Sequence, residues 1–312
     1  MSAPRDSSSS QAAAPAAAKP KVIYVMGQGK SGSTILGVAL GNCDGVFFAG
    51  EMCSWLMTSG RPILGGRERT LFWRGVREQV TGAEELFGGA AFESLERGLS
   101  PLRVDRWPSR RRLRERYLAV TEALYRTIAE RAHATHIVDS SHLPLRALQL
   151  QQIDGIELYL VFLVRRTEGI VASHTRHVKR SEVAERRVRF LKTNAHLWVT
   201  YVLSVLVFLR QRADRRVLLR HEDFVANPEG VLREILAFAD SEAELPDLAS
   251  LSTGIPFQGN ALIRSDTVAL KAQAAAPYRS SRLMRLVERP WQMLLARLEP
   301  AATGVSEPSD HG

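Results

Sequence analysis

The sequence predicts an α/β fold of three layers, a mostly parallel central sheet with helices on both faces. Three observations carry this expectation. Short runs rich in β-branched residues alternate with helical stretches along the chain. The strongest runs are apolar throughout rather than alternating, as strands buried on both faces are. The first run ends in a loop of small residues that opens directly into a helix. The chain has 312 residues, 45% hydrophobic and 24% charged. That ordinary mix excludes a fibrous, collagen-like or wholly disordered protein.

The elements follow in order. Residues 1–20 are rich in Ser, Ala and Pro and predict a disordered tail. They lack the basic start and apolar stretch of a signal peptide. One domain is expected over 21–300, then a flexible tail at 301–312. Residues 21–26 read as the first strand, 34–40 as a helix and 46–49 as a second strand. From 70 to 131 the pattern is helical and basic, interrupted at Gly88-Gly89 and at 100–108; residues of about 60–130 read as a helical insertion. A third strand is expected at 136–138, closed by Asp139-Ser140-Ser141, with a helix over 144–151. The strongest strand is 157–164, followed by a helix from about 168. Residues 181–211 read as one long helix containing an uncharged run of thirteen residues, 197–209. A membrane span needs about 18–20, so this run is expected to pack on the sheet. Residues 216–220 make a fifth strand. Asn227-Pro228 then starts a helix, with Asn227 as its cap and Pro228 in its first turn.

The charge balance is 42 Lys+Arg against 33 Asp+Glu, a net +9. Arginines gather at 106–116 and again, with Lys179, at 176–189; both groups are expected to be solvated helix faces. No aromatic interleaving makes a base-stacking platform, and no zinc-finger or RNA-recognition signature is present. Nucleic acid is therefore not an expected partner. The two cysteines, Cys43 and Cys53, cannot make a disulfide scaffold or a Cys-rich zinc site. A reducing, cytoplasmic location is expected.

The chemistry concentrates in Gly27-Gln28-Gly29-Lys30-Ser31-Gly32-Ser33-Thr34. Small residues let the backbone curl so that several N–H groups point inward. The helix beyond adds unpaired N–H donors and the positive end of its dipole. Lys30 adds a full charge, and Ser31, Ser33 and Thr34 add hydroxyls. Together these make a cradle for phosphate or sulfate. A Walker A loop would need a glycine at position 24, which is Tyr24. A kinase-like reading, with Asp139 as magnesium ligand, is the alternative. A non-catalytic anion- or nucleic-acid-binding protein is another.

This loop resembles the 5′-phosphosulfate-binding loop of the sulfotransferases, roughly [KR]-S-G-[ST]-[ST]-[LIW]. A second motif stands apart from it. The strand at 158–164 leads into Arg165, and Ser173 follows eight residues later, as in the family's 3′-phosphate-binding element. Arginine at a strand end offers a planar fork for a phosphate. Phe48-Ala49-Gly50-Glu51 resembles the strand-then-Gly-Glu segment of bacterial members. Asp139-Ser140-Ser141-His142-Leu143-Pro144 resembles D-[SK]-S-[KH]-x-P. His221-Glu222-Asp223-Phe224, with Pro228, resembles Y-E-D-L-x-x-x-P, departing at His221 from the usual aromatic. Gly259-Asn260 followed by Arg264 resembles the late G-N-x-x-[RH] segment over the nucleotide. The resemblance runs from about 21 to 265 and implies a P-loop-like sulfotransferase fold.

The resemblance also implies in-line transfer of a sulfuryl group from 3′-phosphoadenosine 5′-phosphosulfate (PAPS) to an acceptor oxygen or nitrogen, releasing adenosine 3′,5′-bisphosphate, with no metal. Lys30 would stabilise charge on the bridging oxygen. Gly29, Lys30, Ser31, Gly32, Ser33 and Thr34 would hold the 5′-phosphate. Arg165 and Ser173 would hold the 3′-phosphate, and Gly259, Asn260 and Arg264 would cover the nucleotide. Two residues compete as the base that takes the acceptor's proton: Glu51, slightly favoured, and His142. The 60–130 region would then border the acceptor, whose identity the sequence leaves open.

Overall fold

The computed structural model describes residues 18–98, 100–166, 169–170, 183–272 and 282–298. Five parallel strands form the sheet: β1 (Lys21–Gly27), β2 (Val46–Gly50), β3 (His136–His142), β4 (Glu157–Val164) and β5 (Arg216–Arg220). Their spatial order is β2-β3-β1-β4-β5, and every neighbouring pair is parallel. The chain moves one way from β1 to β2 and the other way to β4. The sheet therefore switches direction beside β1, where open α/β sheets form a crevice beyond the carboxyl ends of their strands.

Side chains of each strand go alternately to two cores. Val22, Tyr24 and Met26 of β1 join one; Ile23 and Val25 join the other. The second core is closed by α1 (Ser33–Leu40) and by two helices after β5, α7 (His221–Ala226) and α8 (Pro228–Phe238). The first core takes α2 (Cys53–Met57), α3 (Arg67–Gln79), α4 (Trp107–Ala132), α5 (Pro144–Leu150), α6 (Val183–Arg210) and α9 (Arg282–Ala296). Helices on both faces of a parallel sheet make the three-layer α/β architecture read from the sequence. Two-residue strands β6 (Leu251–Ser252) and β7 (Thr267–Val268) pair antiparallel in the late segment.

Local chemistry explains the boundaries. The Gly230 N–H donates to the Asn227 side-chain oxygen at 3.1 Å, and Pro228 opens α8, as expected. Pro108 lies in the first turn of α4 and does not interrupt the helix; its missing N–H has no intrahelical partner there anyway. Residues 60–130 are built into the core: Trp73, Val76, Leu113, Tyr117, Leu124 and Ile128 are buried in it. At the amino end, Pro20 is already buried, and its carbonyl accepts the Glu157 N–H at 3.0 Å. Residues 1–17 and 301–312 lie outside the described residues.

Two expectations need correction. β3 does not close before Asp139. It runs through Asp139, Ser140 and Ser141 to His142, and its register shifts against both β1 and β2. Asp139 stays in the strand because its charge is met there. The run 197–209 packs on the sheet with one face only. Leu197, Tyr201, Val205 and Phe208 are buried, whereas Val199, Val202, Leu206 and Leu209 are exposed. A thirteen-residue run winds nearly four turns at 3.6 residues each, and a flat sheet face covers only one side of it.

The partner of Asp139 is Arg146, a fully buried arginine on α5. Its Nε donates to Asp139 at 3.1 Å and its Nη1 to Glu96 at 2.7 Å. Tyr125 donates to Asp139 and Tyr117 to Glu96, each at 2.5 Å. A buried ion pair that loses one member leaves a desolvated charge, which costs about 3–5 kcal/mol. We expect Arg146→Met to destabilise the fold by that amount, read as a lowered urea midpoint; Tyr125→Phe should cost about 1–2 kcal/mol.

Candidate active site

β1 ends at Gly27, and the chain turns through 28–32 into α1. Gly27 has φ 154°, and a Cβ there would sit 2.2 Å from the Leu163 carbonyl oxygen of β4. Only glycine lets the loop leave the sheet at this point. Lys30 adopts φ 72°, a strained conformation for a lysine. Gly32 caps α1 with φ 99°, and no side chain caps the helix. The donors at the start of α1 thus face the loop. Ser31, Ser33 and Thr34 are buried. The Ser31 hydroxyl oxygen has no hydrogen-bond partner among the described residues, a costly state for a buried polar atom unless a ligand or a water meets it.

Three other segments converge on this loop. At the end of β4, Arg165 donates through Nη1 to the Lys30 carbonyl at 2.9 Å. The two anion-binding candidates are therefore in direct contact. Ser173, the other expected 3′-phosphate residue, lies outside the described residues. At the end of β3, His142 has φ 55°, and its Nε2 lies 3.9 Å from where a Gly29 Cβ would sit. Gly259 in the late segment approaches the Thr34 methyl group, 3.4 Å from its own would-be Cβ. Beyond it, the Asn260 side chain accepts the Leu262 N–H at 2.8 Å and caps the turn Ala261–Arg264. Ile263 is buried beneath that turn while Arg264 is exposed.

Glu51 follows β2 and is half-buried. Its N–H donates to the Gln258 carbonyl at 2.8 Å. Burial raises the Glu51 carboxyl above its ordinary range, the negative charge of Asp139 raises it further, and Lys30 pulls it back. The chain just beyond Glu51 is fixed by β3: the Cys53 N–H donates to the Ser141 hydroxyl at 2.9 Å, and that hydroxyl donates to Asp139.

A cavity of about 560 Å³ opens beside the loop, lined by Gln28, Gly29, Lys30 and His142, by Arg97, and by Val199 and Leu203 of α6. It joins two of the candidate catalytic residues, Lys30 and His142; Glu51 is not on its wall. A larger cleft, about 810 Å³, lies at the amino ends of the strands near Lys21, His136 and Asp240 and holds none of these residues. Arg97 and the α6 wall were not legible as site residues. No motif surrounds Arg97, and an uncharged run does not reveal which of its faces lines a cavity. Asp139 has no open coordination face for magnesium, since Arg146, Tyr125 and Ser141 occupy its oxygens. Among the described residues no group of three His, Cys, Asp or Glu could hold a metal ion. No described helix is long and apolar enough to cross a membrane.

His221 sits against Gly32: a Cβ on that glycine would lie 2.4 Å from the histidine Nδ1. That nitrogen has no partner among the described residues. Burial, with the nearby Arg165 charge, pushes the imidazole down to about 4. The folded state therefore resists a proton that the unfolded chain accepts near pH 6.5. Stability from this residue is complete above 6.5 and is lost as pH falls toward 4, by on the order of 3 kcal/mol. Unfolding measured from pH 7 to 4 should show that loss in the parent protein and a flatter profile in His221→Phe.

Residues 20–245 match the family model described as the sulfotransferase family. No curated protein matches the chain. Solved structures with similarity include a sulfotransferase domain from the Synechococcus PCC 7002 olefin synthase, 17% identical over 89% of this chain and 97% of that one, TM-score 0.49. The sulfotransferase domain from the curacin biosynthetic pathway is 13% identical over 88% and 98%, TM-score 0.47. A sulfotransferase from Alicyclobacillus acidocaldarius is 14% identical over 79% and 89%, TM-score 0.40.

Proposed function

The chain belongs to the sulfotransferase family, and from that premise we propose that it moves a sulfuryl group from PAPS to a hydroxyl or amine of a small-molecule, glycan or lipid acceptor. The observation that carries this reading is the convergence of Lys30, the buried unpartnered Ser31 hydroxyl and Arg165 on one loop at the switch point of the sheet. The donor set fits a phosphosulfate. It offers N–H groups, hydroxyls, an ammonium and a guanidinium. Bound there, PAPS supplies the activated sulfuryl group and leaves as adenosine 3′,5′-bisphosphate.

The protein's part is positioning and charge stabilisation. The loop donors and the start of α1 hold the 5′-phosphate. Lys30 meets the charge that grows as the bond to sulfur breaks. Arg165, with Ser173, takes the 3′-phosphate, and 259–264 lies across the nucleotide. His142 shares the cavity with Lys30, which shifts weight toward it as the group that accepts the acceptor's proton. Glu51 is the other candidate, its carboxyl raised by burial and by the charge of Asp139.

A kinase reading finds less support, because Tyr24 stands where the motif needs glycine and Asp139 is bound to Arg146. Adenosine 3′,5′-bisphosphate should raise the melting temperature where ATP at equal concentration does not; saturation at a hundredfold Kd stabilises by about 2.7 kcal/mol. Equal shifts would remove the 3′-phosphate site. With radiolabelled PAPS and a panel of phenols, sugars and amines, Lys30→Ala should lower kcat about 10²–10³-fold. The base is settled by the pH profile. If Glu51 serves, kcat/KM falls as pH drops through a value above that of ordinary glutamate, and Glu51→Gln abolishes that limb. If His142 serves, the limb survives Glu51→Gln, and His142→Ala costs about 10²–10⁴-fold.

A further inference from the structure

The cavity beside Lys30 has two unlike walls. One is the loop with Lys30 and His142; the other is the mostly apolar side of α6, with Ala195, Val199 and Leu203 beside Thr200, and Leu143, Pro144 and Arg97 also line the cavity. The apolar wall does not stop at the cavity. Val199, Val202, Leu206 and Leu209 are 40%, 39%, 58% and 51% exposed. Their spacing of three, four and three residues puts them on one stripe of the helix. At 1.5 Å per residue the stripe runs about 15 Å from the cavity wall toward Arg210. The opposite face of α6 is committed to the core, where Tyr201 and Phe208 pack on Phe162 at 5.8 Å. Large aliphatic side chains left outside in a row mark a binding surface rather than ordinary scatter.

We propose that the acceptor is an amphiphile: its hydroxyl lies between Lys30 and His142, and its hydrocarbon chain leaves the cavity along the Val199–Leu209 stripe. This deepens the sulfotransferase reading and rests on it. Continuity decides the occupant. The stripe begins at a residue that also walls the reacting end, so a ligand on it reaches Lys30 without a break. A wholly polar acceptor would leave Leu143, Pro144, Val199 and Leu203 facing water. A cavity of this volume holds the head and first part of a drug-sized molecule, and the open stripe takes the remainder.

The test is a calorimetric titration of straight-chain alcohols, butanol to decanol, into the protein saturated with adenosine 3′,5′-bisphosphate. Affinity should rise about two- to threefold per added methylene, somewhat below the value for full burial. Val199→Asp should flatten the series from its short end, and Leu206→Asp only for the longest alcohols. Both positions are exposed, and retained bisphosphate binding reports that each variant is folded. A series flat in chain length, or no alcohol binding, overturns the inference while bisphosphate binding leaves the enzyme reading intact. Failure to bind bisphosphate overturns that reading and the inference with it. Binding to phosphatidylcholine–phosphatidylglycerol vesicles without binding monomeric alcohols also overturns the inference, and assigns the stripe to a membrane surface.

Discussion

The site depends on a guanidinium buried where no water reaches. Arg146 is held between Asp139 and Glu96, with the hydroxyls of Tyr117 and Tyr125 filling the remaining directions. The side chains come from β3, α4, α5 and the turn around Glu96, so one cation ties the sheet to the segment that borders the cavity. Two carboxylates around one guanidinium leave an excess of negative charge. Burial pushes the Glu96 carboxyl upward against the pull of Arg146 and Tyr117, and the charge of Asp139 is felt at Glu51. The same Asp139 anchors Ser141, which holds the Cys53 amide two residues beyond Glu51. Burial is the first cause of the raised Glu51 carboxyl, and this ion cluster adds to it through Asp139 while holding the chain just beyond Glu51.

Two of the non-glycine residues with positive φ, Lys30 and His142, line the candidate cavity, whereas Ser59, His133 and Asp240 do not. Both sit where a strand's carboxyl end gives way to a helix on the same edge of the sheet. Non-glycine residues hold such conformations only where their surroundings over-determine them. For Lys30 the surroundings include Arg165 bound to its carbonyl. For His142 they include the register shift between β1 and β3, where β3 carries one extra residue.

All five long strands were legible in the sequence, because their apolar runs are short and uninterrupted, although β3 runs on through the polar cluster expected to close it. The loop after β1 and Arg165 after β4 were legible as candidate anion-binding residues from their local types and spacing, and the structure brings the two into contact. What escaped reading is long-range. Asp139 looks like a turn residue until Arg146, Glu96 and two tyrosines, up to 50 positions apart, gather around it. Arg97 reaches the cavity only through packing. The run 197–209 reads as core, yet only the folded sheet decides which of its side chains stay outside. His221 departs from an aromatic pattern, and its closeness to Gly32 has no local signature.

The late segment links two tasks. Its backbone is tied to α3 by Trp73 and Arg69, which donate to the carbonyls of Ile255 and Pro256, and to β2 by the Phe257 amide. The next carbonyl, Gln258, accepts from the Glu51 amide, and the residue after it is Gly259, against Thr34. The 259–264 turn and Glu51 are thereby joined through one residue: Gln258, whose carbonyl holds the Glu51 amide, leads directly into Gly259. If 259–264 covers a nucleotide as proposed, its movement and the placement of the Glu51 backbone share one peptide unit.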